Sequence, residues 1–209
     1  MIKRVVLVGL LAAAAASAQT VNCIVAVVNG GIITLLDVEV AAEFGLGPAG
    51  GAESGGDPRR AALEALIDRK VVRDLARDVR GLTGEELDAA LADLRRELGE
   101  AVFAAKLRKF GLADTDLEQL LEDRVLYDRA MALRFSPVIP VPVTEVERFY
   151  RDIYAPDRTR RGLDVEPLAS VSGTIEARLR DERRTKQMND WVRDLRKRAD
   201  IQIRKDCLK

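Results

Sequence analysis

The 209-residue chain is 47% hydrophobic and 33% charged, which supplies both a packed core and a solvated surface and excludes global disorder. Its 34 Lys and Arg balance 34 Asp and Glu, so charge gives no reason to expect nucleic acid as a partner. It has no histidine, which excludes His-based acid/base catalysis, histidine metal ligands and Ser-His or Cys-His nucleophile pairs.

Residues 1–18 carry the three parts of a secretory signal. These are a basic start (Lys3, Arg4), an apolar run over residues 5–16, and an Ala16-Ser17-Ala18 cleavage signature that makes Gln19 the expected mature start. The run is too short to span a bilayer comfortably, so no stable membrane insertion is expected after cleavage. Processing leaves 32 basic against 34 acidic residues. Two cysteines, Cys23 and Cys207, stand near the ends of the mature chain; an even count in an exported protein invites a disulfide, with two free thiols as the alternative.

Residues 21–37 hold two β-branched runs, CIVAVV and IITL, around Asn29-Gly30-Gly31. Asn-Gly tolerates the positive φ that a tight hairpin turn demands, so a β-hairpin is predicted. Thr34-x-x-Asp37 then reads as a capping box opening a short helix to about Phe44. Residues 45–56, rich in Gly, Pro and Ser, form a loop. Asp57-Pro58 starts a helix whose apolar positions, from Leu63 to Val79, recur at helical spacing up to Gly81.

Thr83-x-x-Glu86 caps the next helix, which places Leu87, Leu91, Leu94 and Leu98 on one face. Phe103, Leu107 and Phe110 mark another between Gly99 and Gly111. Thr115-x-x-Glu118 is read as the cap of a long helix carrying Leu117, Leu120, Leu121, Val125 and Met131. Three prolines force residues 136–143 to be extended, a connector between helices. Thr144-x-x-Glu147 reads as the opening of a helix with Phe149, Tyr150 and Ile153. Residues 154–167 are polar and turn-like. A long helix follows from Leu168 through Trp191 to Leu195, and the alternating ADIQIR suits a closing strand.

The opening IVAVVNGGIITLLDVE resembles the start of the SurA-type chaperones, where a hairpin leads into the first helix. ALEALIDRKVVRDLARD, VTEVERFYRD and LRDERRTKQMNDWVRDLRKRADIQIR are similar to three further segments of that family, in the same order. The resemblance implies a mostly α fold: a multi-helix peptide-binding core with a small sheet made by the N-terminal hairpin and the C-terminal strand. It implies that the last strand joins the hairpin, which is the reason to link Cys23 to Cys207. It also implies one core domain over residues 19–209, with an N-terminal part (19–153), a linker (154–167) and a C-terminal helix and strand (168–209).

In one respect the chain departs from the family. Parvulin-type prolyl isomerase domains usually sit where this chain has only residues 154–167, far short of the roughly one hundred residues a domain needs. The expectation is therefore a non-enzymatic, ATP-independent periplasmic chaperone, without cofactor or metal, whose partners are unfolded or nascent exported proteins. A divergent peptidyl-prolyl isomerase and a dedicated assembly factor of one envelope complex are the alternatives.

The residues proposed to line its peptide groove are Phe103, Leu107, Phe110, Leu121, Val125 and Tyr127, with ordinary core packing as the competing account of each. Trp191 reads as a core anchor. The charged stretch over residues 178–198 reads as a solvated helix face laced with i,i+4 pairs. Asp37, Glu39 and Glu43 read as helix-start charge and surface solvation rather than an acid/base or metal cluster.

Overall fold

A computed structural model describes residues 23–47, 56–75, 81–137 and 139–208. The expected signal peptide, most of the glycine-rich loop and the stretch expected to carry the second helix on to Val79 lie outside the described residues. In chain order the elements are β1 (Ile24–Val28), β2 (Gly31–Thr34), α1 (Leu35–Glu43), α2 (Pro58–Leu75), α3 (Gly84–Leu98) and α4 (Glu100–Phe110). A 3-10 turn (Asp114–Leu117) then leads into α5 (Glu118–Arg134). After the proline-rich connector come α6 (Val143–Phe149), a π turn (Tyr150–Tyr154), α7 (Ala155–Arg160), α8 (Leu168–Arg196) and β3 (Ile201–Ile203).

The hairpin turns through Asn29 at φ 49° and Gly30 at φ 85°, the two positive values its geometry requires. Thr34 is a reciprocal cap: its hydroxyl accepts from the Asp37 N–H at 3.2 Å, and the Asp37 carboxylate accepts from the Thr34 N–H at 2.8 Å. Thr83 and Glu86 repeat the arrangement at the start of α3. These two boxes are as predicted, and two others differ. Before α5 the carboxylate of Asp116, not Glu118, reaches back, accepting from the Ala113 N–H at 2.7 Å, and Thr115 lies inside the 3-10 turn. At α6 the capping position falls on Pro142, whose ring holds φ at −62°. Val143, expected to be extended, is therefore already helical, and Thr144 sits within the first turn.

Residues 154–167, expected as a polar linker, are helical as far as Arg160. Pro156 would break a regular helix there, because its ring collides with the carbonyl four residues back and it lacks an N–H. The π turn immediately before it widens the helix, and the Ala155 N–H reaches the Tyr150 carbonyl. The true connector, residues 161–167, is pinned to this helix. Tyr150 and Tyr154 donate their hydroxyls to the Glu166 backbone (2.8 Å) and carboxylate (3.1 Å), and Arg158 donates to the Asp164 carbonyl (3.0 Å).

The three strands form one antiparallel sheet in the order β2-β1-β3. β3 registers on β1 through Ala26–Ile203, Val27–Gln202 and Val28–Ile201. The two ends of the described chain thus zip together, and Cys23 and Cys207 form a disulfide with Cα atoms 6.0 Å apart. On the other side of β1, the register with β2 slips between Ile24 and Ala26, a bulge that turns both Val25 and Ala26 into the core.

There are two apolar clusters. The larger joins the sheet, α1 and α2 to Leu94, Phe103, Leu117, Leu121 and Met131, and takes in Val192 and Leu195 from the end of α8. The smaller packs Val146 and Phe149 against Val171, Ile175 and Leu179 from the start of α8. One 29-residue helix, about 43 Å long, therefore serves both a body and an arm. Between them residues 180–187 of α8 contain no buried side chain. There Arg180 and Arg183 donate to the carbonyls of Ile139 and Pro140, and Arg183 pairs with Glu145.

Candidate functional site

Phe103 is 1% exposed, lies edge-on to Phe44 at 5.7 Å and carries the Arg95 guanidinium 4.8 Å above its ring. Leu121 is 2% exposed in the same cluster. Neither side chain is available to a partner in this conformation, and for these two the competing account, ordinary core packing, describes their place. The reason is that α5 packs on α2 and α3, and α4 packs on α3 and meets Phe44 at the end of α1, so both helices bury apolar residues there. Leu107, Phe110 and Tyr127 are half-buried against this cluster, and Val125 is half-buried as well. Burial pushes the Tyr127 phenol up to about 12.

Phe110 lines a cleft of about 640 Å³ together with Ala42, Pro58 and Leu208. Its rim is charged: Glu39 pairs with Arg59 at 2.8 Å, and Glu43 with Lys106 at 2.9 Å and Lys109 at 2.7 Å. The hydrogen bond from Lys109, then that from Lys106, holds the Glu43 carboxyl at about 2. All three acids singled out near the first helix are thus engaged: Asp37 in its capping box, Glu39 and Glu43 with cations.

Among the described residues, the buried charged side chains are Asp123 on α5 and Arg69 on α2. Asp123, 2% exposed, receives Lys70 at 3.3 Å, Arg73, and the Gln119 amide at 3.3 Å. Arg69, 5% exposed, donates to the Gly47 carbonyl at 3.0 Å, and burial lowers its pKa. Sequence reasoning missed both residues, since each sits among surface-type charges with no local mark of burial. Around Asp123 the partners are cations and an amide, which neutralise and orient it but do not create a nucleophile. Among the described residues no group of three or more acids, cysteines or histidines is placed to hold a metal ion.

Among the described residues, exposed large apolar side chains lie both on the body (Ile32, Leu75, Val102, Leu133 and Ile203) and in the arm and its connector. In the latter, Val143 (72%), Ile153 (51%), Leu163 (45%) and Val165 (41%) fall within 23 residues of sequence. Ile153 has the spacing to continue the face of Val146 and Phe149. The π turn shifts the helical phase, however, so Tyr150 and Tyr154 pack on the cluster and Ile153 is left at the surface. The sequence marks this face and not where its cover stops. Such side chains, set among Arg148, Arg151, Asp152 and Asp164 at the surface, can take up apolar segments of another chain while the surrounding charge stays hydrated.

Trp191 packs on the larger cluster, edge-on to Phe135 at 5.8 Å with the Arg134 guanidinium 4.9 Å from its ring. The charged face of α8 is solvated and carries the i,i+4 pairs Arg178–Glu182 and Lys186–Asp190. Among the described residues no helix is long and apolar enough to cross a membrane. No protein-family model matches the chain, and no curated protein matches it either.

Proposed function

We propose that this chain is an ATP-independent periplasmic chaperone that holds unfolded exported polypeptides, outer-membrane proteins foremost, without prolyl isomerase activity. The observation that carries the reading is the pairing of β1 with β3, which folds both ends of the described chain into one sheet. That closure is the arrangement the SurA-type resemblance led us to expect. The disulfide fits an oxidising compartment, as the secretory signal does.

The mechanism is reversible apolar capture. A client segment lays its apolar side chains against Val143, Ile153, Leu163 and Val165, and the arm's charged residues keep the pair hydrated. Ordering the client costs chain entropy, so each contact is weak and release needs no nucleotide. Only residues 161–167 separate α7 from α8, which leaves no room for an isomerase domain of roughly one hundred residues.

The test is light scattering of a urea-denatured outer-membrane β-barrel protein diluted into buffer without ATP. The processed protein, added at equal molarity, is expected to suppress the aggregation, and an unchanged trace overturns the proposal. A protease-coupled proline-peptide assay is expected to show the uncatalysed rate.

A further inference from the structure

The C-terminal strand has few anchors: Ile201 within it, and Cys207 and Leu208 past it, are half-buried against the larger cluster. β3 is three residues long, and Gln202 and Ile203 are exposed. Beyond the ladder, its seam with β1 consists of the Arg204 N–H on the Val25 carbonyl (2.7 Å), the Asn29 N–H on the Asp200 carbonyl (2.8 Å), and the Asp200 N–H on the Asn29 side chain (2.9 Å). A short edge strand with few buried contacts opens at a free energy far below that of global unfolding. A covalent tie sits four residues past it: Cys207 lies in the terminal 3-10 turn (Lys205–Leu208) and is bonded to Cys23, the residue before β1.

From these two facts together we infer that the Cys23–Cys207 bridge is a redox latch that keeps β3 on β1, and that its reduction releases the C-terminal strand and bares the edge of β1. With the bridge closed, a detached β3 is a short loop fixed at both ends, by α8 and by Cys207, and it falls back at once. With the bridge open, the segment is covalently fixed on the α8 side alone, with half-buried Ile201 and Leu208 as its remaining apolar contacts. Once it lifts, the backbone groups of β1 that faced it become an unpaired strand edge.

The chemistry is thiol–disulfide exchange with a dithiol. One thiolate attacks a bridge sulfur and expels the other cysteine as a thiolate. The second thiol of the reagent then resolves the mixed disulfide, leaving two protein thiols and an oxidised reagent. The inference does not depend on the chaperone reading.

Amide hydrogen exchange on the whole processed protein, oxidised and then reduced with a dithiol, tests it. The Arg204 and Asn29 amides report the seam, and Leu66 and Ile67 in α2 report the body. Reduction is expected to speed exchange at the seam by about tenfold or more and to make it insensitive to low urea. The α2 amides, which lose only the loop-closure stabilisation of the bridge, are expected to keep the steep urea dependence of global unfolding. The Cys23→Ser/Cys207→Ser variant is expected to match the reduced protein with or without dithiol. A seam that keeps the same urea dependence as α2, no acceleration at the seam, or loss of the folded spectrum on reduction would each overturn the latch.

Discussion

Asp123 shows how much one carboxylate can be worth when it is sealed between helices. Its side chain is 3% exposed while Lys70 and Arg73 remain 22% and 37% exposed, so the acid has lost its water and the bases have not. Removing the acid lets both bases rehydrate, which places the cost of Asp123→Ala at about 2–3 kcal/mol, read from the urea midpoint. Glu43 acts at low pH instead. Its carboxyl lies at about 2 in the folded chain against 4.5 ordinarily, so the folded state favours its charged form. That stabilisation is complete above about pH 4.5 and disappears as the pH falls towards 2. Glu43→Gln is therefore expected to unfold at a midpoint that varies less between those two pH values than the parent's.

Single elements bury one face completely and leave another half-covered, and the two faces answer differently to substitution. Phe103→Ala in α4 opens a void beside Phe44 and is expected to cost about 3–5 kcal/mol in urea unfolding. Ile153→Ser, at a half-exposed place beyond the buried face of α6, is expected to move stability by less than about 0.5 kcal/mol. If the arm holds clients, the combined Val143→Ser, Ile153→Ser and Leu163→Ser variant keeps its unfolding midpoint and loses most of its suppression of aggregation. Equal suppression by that variant would move the client surface elsewhere.

The whole molecule is a large body and a small arm threaded on one long helix. The waist of α8 is held by Arg180 and Arg183 rather than by apolar packing, so the arm can melt by itself. Ile175→Ala removes apolar volume from a cluster of only a few buried residues and is expected to weaken the arm by about 2–4 kcal/mol. Trp191, the single tryptophan, packs on the body, so its fluorescence midpoint is expected to stay fixed while far-UV circular dichroism shows an earlier helical loss. Coincident shifts of both signals would mean that body and arm unfold together.

What short-range chemistry decides was legible from the residues alone. The Asn29-Gly30 turn, the Thr34 and Thr83 capping boxes, the span of α4 between Gly99 and Gly111, and the start of α8 each depend on groups within a few positions of one another. The mostly helical class and the closing strand followed from the same kind of pattern, and the pairing of β3 with the hairpin followed from family resemblance. Tertiary structure alone decided which apolar faces are covered. Phe103 and Ile153 share helical spacing, yet one is sealed and the other half exposed, because burial is set by elements far away in the chain. For the same reason Asp123 and Arg69 looked like surface charges, and Phe103 and Leu121, two of the six residues expected to line a groove, are buried in the larger cluster.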